Sequence, residues 1–98
     1  MKAYVIVDIT ITEREGFTTY VGQITDLIVR HGGRYLVRGP NPEVILAGSV
    51  PVPELLVVVE FPSMENARAF IDARQELGLA DLFAGSTDSR ILLAEGVG

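Results

Sequence analysis

The sequence predicts an α+β domain with element order βαββαβ, its four strands forming one antiparallel sheet that carries two helices on one face. Three observations carry this. Ala3 to Ile11 (AYVIVDITI) and Leu55 to Phe61 (LLVVVEF) are short runs rich in β-branched residues, the composition of strands rather than of buried helices. Between Phe17 and His31 the apolar residues recur at spacings of three and four, as they do along one side of a helix. Finally, the succession strand–helix–strand occurs twice. Two right-handed units of that kind interleave most simply as a ferredoxin-like sheet with strand order 4-1-3-2.

The first strand, Ala3 to Ile11, has two unlike faces. Ala3, Val5, Val7, Ile9 and Ile11 are all apolar, whereas Tyr4, Ile6, Asp8 and Thr10 are mixed. Thr12 and Glu15 then make a T-x-x-E capping box, in which each side chain satisfies a backbone donor at a helix start. Phe17, Tyr20, Val21, Ile24, Leu27, Ile28 and His31 mark the inward face of that helix, and Gly32-Gly33 ends it. Arg34 to Arg38 is the second strand. Gly39-Pro40-Asn41-Pro42 breaks or bends it, and Glu43 to Ala47 is placed as its continuation. Gly48 to Pro53 is a hairpin connection. The continuously apolar Leu55 to Phe61 is expected at the sheet centre, covered on both sides. Ser63 caps a second helix whose inward face carries Met64, Ala67, Phe70, Ile71 and Arg74. That helix stops near Gly78; Leu79 to Phe83 adds one further turn, and Ser89 to Glu95 closes the sheet.

Bulk composition sets the outer limits. The 98 residues suit a single domain spanning 1–98, of which 48% are hydrophobic at a mean hydropathy of +0.33. That is a large apolar share for so small a chain. No run approaches the ~18 residues of a membrane helix. Met1-Lys2-Ala3 leads directly into strand pattern, so neither a signal peptide nor a membrane role is expected. A cytoplasmic location is the default. The absence of cysteine removes disulfides, thiolate nucleophiles and Cys-based metal sites. A net charge of −5 repels phosphate backbones, so no nucleic-acid partner is expected.

Two helices cover one face of a four-stranded sheet. The other face is expected to carry Tyr4, Ile6, Asp8 and Thr10 from the first strand and Leu56, Val58 and Glu60 from the third. The closing strand adds Arg90, Leu92 and Ala94, and the second adds Arg34, Leu36 and Arg38. This face is apolar in the middle and charged toward its ends, and a second copy of the chain lying over it would form a homodimer. Antiparallel order sets Asp8 near Arg90 at one end and Tyr4 and Arg34 near Glu60 at the other. These pairs are either cross-strand ion pairs at a dimer rim or the lining of a ligand pocket.

HGGRYLVRG (His31 to Gly39), Val59-Glu60-Phe61-Pro62-Ser63, Ala67-Arg68-Ala69 and Glu95-Gly96 together resemble the domain of unknown function 1330 family. The resemblance spans essentially the whole chain. It implies a small dimeric α+β barrel and brings no established activity with it. Three positions depart from the family pattern. Ala47 follows Leu46 where members tend to have glutamate, Phe70 stands where tryptophan is common, and Phe83 stands in an arginine's place. The wider barrel superfamily includes cofactor-free monooxygenases and haem-handling enzymes, a likeness of fold alone.

Catalytic motifs are sparse. Gly32-Gly33 precedes a strand and is no phosphate loop, there is no G-x-S-x-G, and the lone histidine has no partner at metal-ligand spacing. No metal and no cofactor are expected. His31, at a helix C-terminus, suits bonding to the last carbonyls. Arg30, His31, Arg34 and Arg38 make a local positive cluster in an acidic chain. The expectation is a homodimeric barrel binding a small, anionic molecule in a pocket between helix face and sheet edge, with or without cofactor-free catalysis. Tyr4, Asp8 and Glu60 would exchange hydrogen bonds there, while Arg34 and Arg38, beside His31, would fix an anionic group. The alternative is a non-catalytic structural, interaction or ligand-sensing dimer.

Overall fold

The computed structural model describes all 98 residues. Four strands, β1 (Ala3–Ile11), β2 (Arg34–Pro40), β3 (Leu55–Phe61) and β4 (Thr87–Glu95), form one sheet in the order β2-β3-β1-β4, with all neighbours antiparallel. This is the interleaved topology that the doubled strand–helix–strand pattern predicts. Three helices, α1 (Arg14–Arg30), α2 (Met64–Glu76) and α3 (Leu79–Ser86), complete it.

The alternation in β1 decides which way the sheet faces. Ala3, Val5, Val7 and Ile9 are buried with Val57, Val59 and Phe61 of β3 against Tyr20, Ile24, Leu27 and Ile28 of α1, Ala67 and Phe70 of α2, and Leu79 and Phe83 of α3. One apolar stripe per element is enough to build this core. No buried side-chain polar atom lacks a hydrogen-bond partner. The intervening residues of the sheet, among them Ile6, Val58 and Leu92, look away from the helices and are only partly covered.

Several expectations need correction. The first helix is capped by Glu13, not by a Thr12–Glu15 box. The Glu13 carboxylate accepts from the amides of Glu15 at 3.0 Å and Gly16 at 2.6 Å. The Thr12 and Glu13 amides themselves donate to the Ser86 carbonyl, at 2.9 and 3.1 Å. With both amides taken by the end of α3, the helix starts one residue later. The turn after Gly78 is a full eight-residue helix. Gly78, in a left-handed conformation (φ 75°), allows the sharp break between α2 and α3.

The stretch from Glu43 to Ala47 is not a strand. It belongs to a connection running from Asn41 to Glu54, closed at its base where the Asn41 amide reaches the Glu54 carbonyl at 2.6 Å. Pro42 on one side and Gly48, Pro51 and Pro53 on the other leave the short apolar run between them without a strand to pair with. Ile45 and Leu46 are 88% and 91% exposed. Ser63, by contrast, caps α2 as expected, accepting from the Asn66 amide at 3.1 Å.

The most consequential correction lies in β2. Arg34 pairs with Glu60 and Tyr35 with Val59, but a bulge follows, after which Val37 pairs with Val58 and Arg38 with Val57. One extra residue reverses the alternation. Val37 therefore joins the open face, and Arg38, expected there, turns to the helix side beside Tyr35.

Candidate functional site

The open face carries its charge at two ends, as the antiparallel order requires. At one end Glu60, 8% exposed, accepts three side-chain hydrogen bonds: Lys2 Nζ at 3.2 Å, Tyr4 OH at 3.1 Å and Arg34 Nε at 3.0 Å. Burial pushes the Glu60 carboxyl upward, but the three donors outweigh it and hold the group below its ordinary value. The bond to Glu60, aided by burial, raises the Tyr4 phenol in turn. At the other end Arg90 grips Asp8 Oδ2 through Nε at 3.2 Å and Nη2 at 2.9 Å. The connection between β2 and β3 leans over this end, enclosing a shallow hollow with Asp8, Leu56 and Arg90.

The six residues singled out from the sequence thus divide among four places. Tyr4, Arg34 and Glu60 come together. Asp8 lies at the far end of the same face, and Arg38 lies on the helix side. His31 caps α1, its Nδ1 2.9 Å from the Leu27 carbonyl and its ring edge-on to Phe70. No single pocket holds them, so the expected ligand set is not one site.

A more enclosed cavity lies elsewhere, between the sheet and the helices. It has a volume of about 340 Å³ and 19 lining residues, 17 of them hydrophobic. Its floor is the helix-facing row of the sheet, and its walls include Phe17, Tyr20 and Ile24 of α1, Phe70 and Ile71 of α2, and Phe83 of α3. The two remaining lining residues are Arg38 and Arg74. Arg74 donates Nε–H to the Tyr20 phenol at 2.9 Å, with its guanidinium 5.1 Å from the Phe83 ring centre. Arg38 lies 4.9 Å over the Tyr35 ring, whose hydroxyl meets Thr25 Oγ1 at 3.1 Å. Burial raises the Tyr20 phenol, partly offset by the bond and charge of Arg74.

Arg74, Tyr20 and Tyr35 were not among the residues expected to meet a ligand. The signal for Arg74 was present: a cation standing at an inward position of α2, in register with Ala67, Phe70 and Ile71. Apolar stripes mark core, and a charge set into one needs a special surrounding. No group of three or more His, Asp or Glu side chains is clustered to hold a metal ion, and no helix is long and apolar enough to cross a membrane.

A family model described as Domain of unknown function (DUF1330) matches residues 2–97. The chain belongs to the DUF1330 family. Among proteins of curated function none matches it. Solved structures share its architecture at low identity. A protein of unknown function from Rhodopseudomonas palustris, RPA0582, is 13% identical, with a TM-score of 0.76 over 99% of this chain and 83% of that one. SnoaB from Streptomyces nogalater, a cofactor-independent oxygenase, is 10% identical, with a TM-score of 0.67 over 99% and 94%. A de novo designed protein, Foldit4, is 11% identical, with a TM-score of 0.60 over 99% and 100%. These likenesses establish the α+β fold. Of the positions at which this DUF1330 chain departs from the pattern of the resemblance, Phe70 and Phe83 line the cavity and Ala47 lies in the β2–β3 connection.

Proposed function

We propose that the protein is a homodimeric small-molecule binder whose ligand enters the cavity between sheet and helices. The observation that carries this is the cavity itself. An apolar space of about 340 Å³ falls within the ~300–1,000 Å³ range of ligand pockets. Close packing would otherwise fill a void of that size in so small a core. The side-chain hydroxyls of Tyr20 and Tyr35 and the guanidinium groups of Arg38 and Arg74 are the polar groups available to orient an occupant.

The open face supports the second half of the reading. Leu36, Val37 and Leu92 are exposed there around the half-covered Ile6 and Val58. Pairing two such faces buries apolar surface that a monomer leaves in water. The salt bridges at the two ends sit where a face-to-face pair has its rim. Likeness to SnoaB at 10% identity bears on architecture; an oxygenase activity does not follow from it.

Titration with octanol, a neutral flexible probe, tests the cavity. Chemical-shift changes are expected at Ile24, Val57 and Phe70, and the Ile24→Trp variant, which fills the space, is expected to lose binding while remaining folded. An absence of binding up to the solubility of octanol, or binding unchanged in Ile24→Trp, overturns the reading.

A further inference from the structure

We infer that the cavity takes an amphipathic anion: an apolar carbon body inside, and a carboxylate headgroup held by Arg74 with Arg38 contributing charge. This rests on the reading that the cavity binds a small molecule, and it specifies the chemical class.

The observation behind it is an imbalance of charge. The chain has 13 acidic residues and 8 basic ones, yet the only charged side chains lining the cavity are two arginines. Neither has an ion-pair partner. Of the six basic residues elsewhere four are paired, Lys2 and Arg34 with Glu60, Arg90 with Asp8 and Arg14 with Glu54, and the other two, Arg30 and Arg68, stand exposed on the helices away from the cavity. Arg38 is exposed and solvated by water, but Arg74 is partly buried, and a guanidinium withdrawn among apolar side chains without a carboxylate is costly unless something else supplies the opposite charge.

The geometry of Arg74 suits that task. Its Nε–H is spent on Tyr20, and its plane is held against the Tyr20 and Phe83 rings at 5.7 and 5.1 Å. Neither terminal nitrogen donates to a protein acceptor. A guanidinium anchored through Nε presents its two terminal N–H groups in a fixed fork, the arrangement that pairs with two carboxylate oxygens. Tyr20 is here a positioning residue; Arg74 makes the contact. Apart from the Tyr20 and Tyr35 hydroxyls, already bonded to Arg74 and Thr25, the rest of the lining offers carbon, which demands an apolar body and excludes a small hydrophilic anion.

Octanoate, octanol and octylamine share one chain and differ in headgroup charge, so titrating all three at pH 7 and fixed salt separates the headgroup from the chain. Octanoate is expected to bind at least about tenfold more tightly than octanol, the scale of one charge-assisted hydrogen-bonded pair, and octylamine most weakly. Arg74→Gln is expected to bring octanoate within about twofold of octanol, with an unchanged circular-dichroism spectrum as the check on folding. Arg38→Gln, on an edge strand where folding is less exposed to the change, is expected to lower the same preference by itself. Arg68→Gln, exposed on α2 and outside the cavity, is expected to leave it intact. Octanol binding as tightly as octanoate, or a preference that survives in the Arg38→Gln/Arg74→Gln double variant, overturns the inference and leaves the cavity reading standing. Failure of all three probes overturns both.

Discussion

Arg74 of α2 donates its Nε–H to the phenol oxygen of Tyr20 on α1 at 2.9 Å, bridging the two helices beside an apolar cavity. Without the phenol, the guanidinium would lose its only hydrogen-bond acceptor in the protein. Without the guanidinium, a largely buried hydroxyl would lose its partner. Each therefore fixes the other, and with it the spacing of α1 and α2 above the sheet.

Replacing Tyr20 by Phe keeps the ring and removes that bond. The expected loss is about 1 kcal/mol, or roughly 4–8 °C in Tm for a domain of this size, measured by calorimetry at pH 7. The alkaline limb adds a signature. Burial first, against the pull of Arg74, raises the folded Tyr20 pKa above its ordinary value of 10.0. Its contribution is present below that value and is lost as pH rises through the folded pKa. Hence the gap between wild type and Tyr20→Phe should narrow in urea denaturation between about pH 9 and pH 11. A gap that stays constant would show that the phenol does not titrate differently in the folded state.

At the Glu60 end of the open face the sign is opposite. Lys2, Arg34 and Tyr4 together overcome the burial of Glu60 and lower its carboxyl from the ordinary value of 4.5. A depressed folded pKa gives stability that is present above the unfolded value and lost as pH falls through the folded one. Glu60→Gln should therefore lower the urea midpoint at pH 7. The deficit should shrink steadily from about pH 5 to pH 3 as wild-type Glu60 takes up its proton. Equal deficits at pH 7 and pH 3 would remove this carboxylate from the list of acid-sensitive elements.

The reach of sequence reasoning follows from these same residues. The facing of β1, β3 and β4 was legible because a strand of strict alternation, once its apolar row is assigned to the core, fixes which side chains share a face. The antiparallel order then placed Tyr4 near Glu60 and Asp8 near Arg90, as the register has them. Alternation failed at Arg38, since the bulge between Tyr35 and Val37 lies in RYLVRG, a run with no glycine or proline at the bulge itself. The start of α1 was misplaced for a different reason. Both Thr12 and Glu13 can cap a helix, and the choice is made by the distant Ser86 carbonyl. The cavity left still less trace: its volume depends on how far the helices stand off the sheet, which no local spacing encodes. Only Arg74, a cation on an apolar stripe, marked it.

Gly33, just before β2, and Gly39, near its end, separate close packing from open edge. A Cβ added at Gly33 would meet Phe61 Cε1 at 2.7 Å and Ile28 Cγ2 at 2.8 Å, both in the core. Neither ring nor branched chain has room to withdraw, so Gly33→Ala should cost about 1–3 kcal/mol by overpacking. At Gly39 nothing lies within 4 Å, and Gly39→Ala should stay within about 0.5 kcal/mol of wild type. Thermal denaturation of the pair decides this. Equal melting temperatures would mean that α1 and Phe61 yield more easily than a packed core does.

The open face carries one unbroken apolar row from edge to edge. Ile6 of β1 pairs with Val58 on one side and Leu92 on the other, so these three form a continuous apolar row across the sheet. Val37 of β2, brought onto this face by the bulge, extends the row to the edge. Leu92 ends that row on the β4 edge, and the one cation near it on this face, Arg90 two residues away, is already engaged by Asp8. Leu92→Asp should therefore leave the monomer fold intact, since Leu92 is half exposed and belongs to no part of the core. In a face-to-face dimer it would bury an aspartate from each copy in the interface, which desolvation makes unfavourable by several kcal/mol. Light scattering at micromolar concentration should give twice the chain mass of 10.6 kDa for wild type and a single chain mass for Leu92→Asp. A wild-type monomer, or a variant that remains dimeric, would place the contact somewhere other than the sheet.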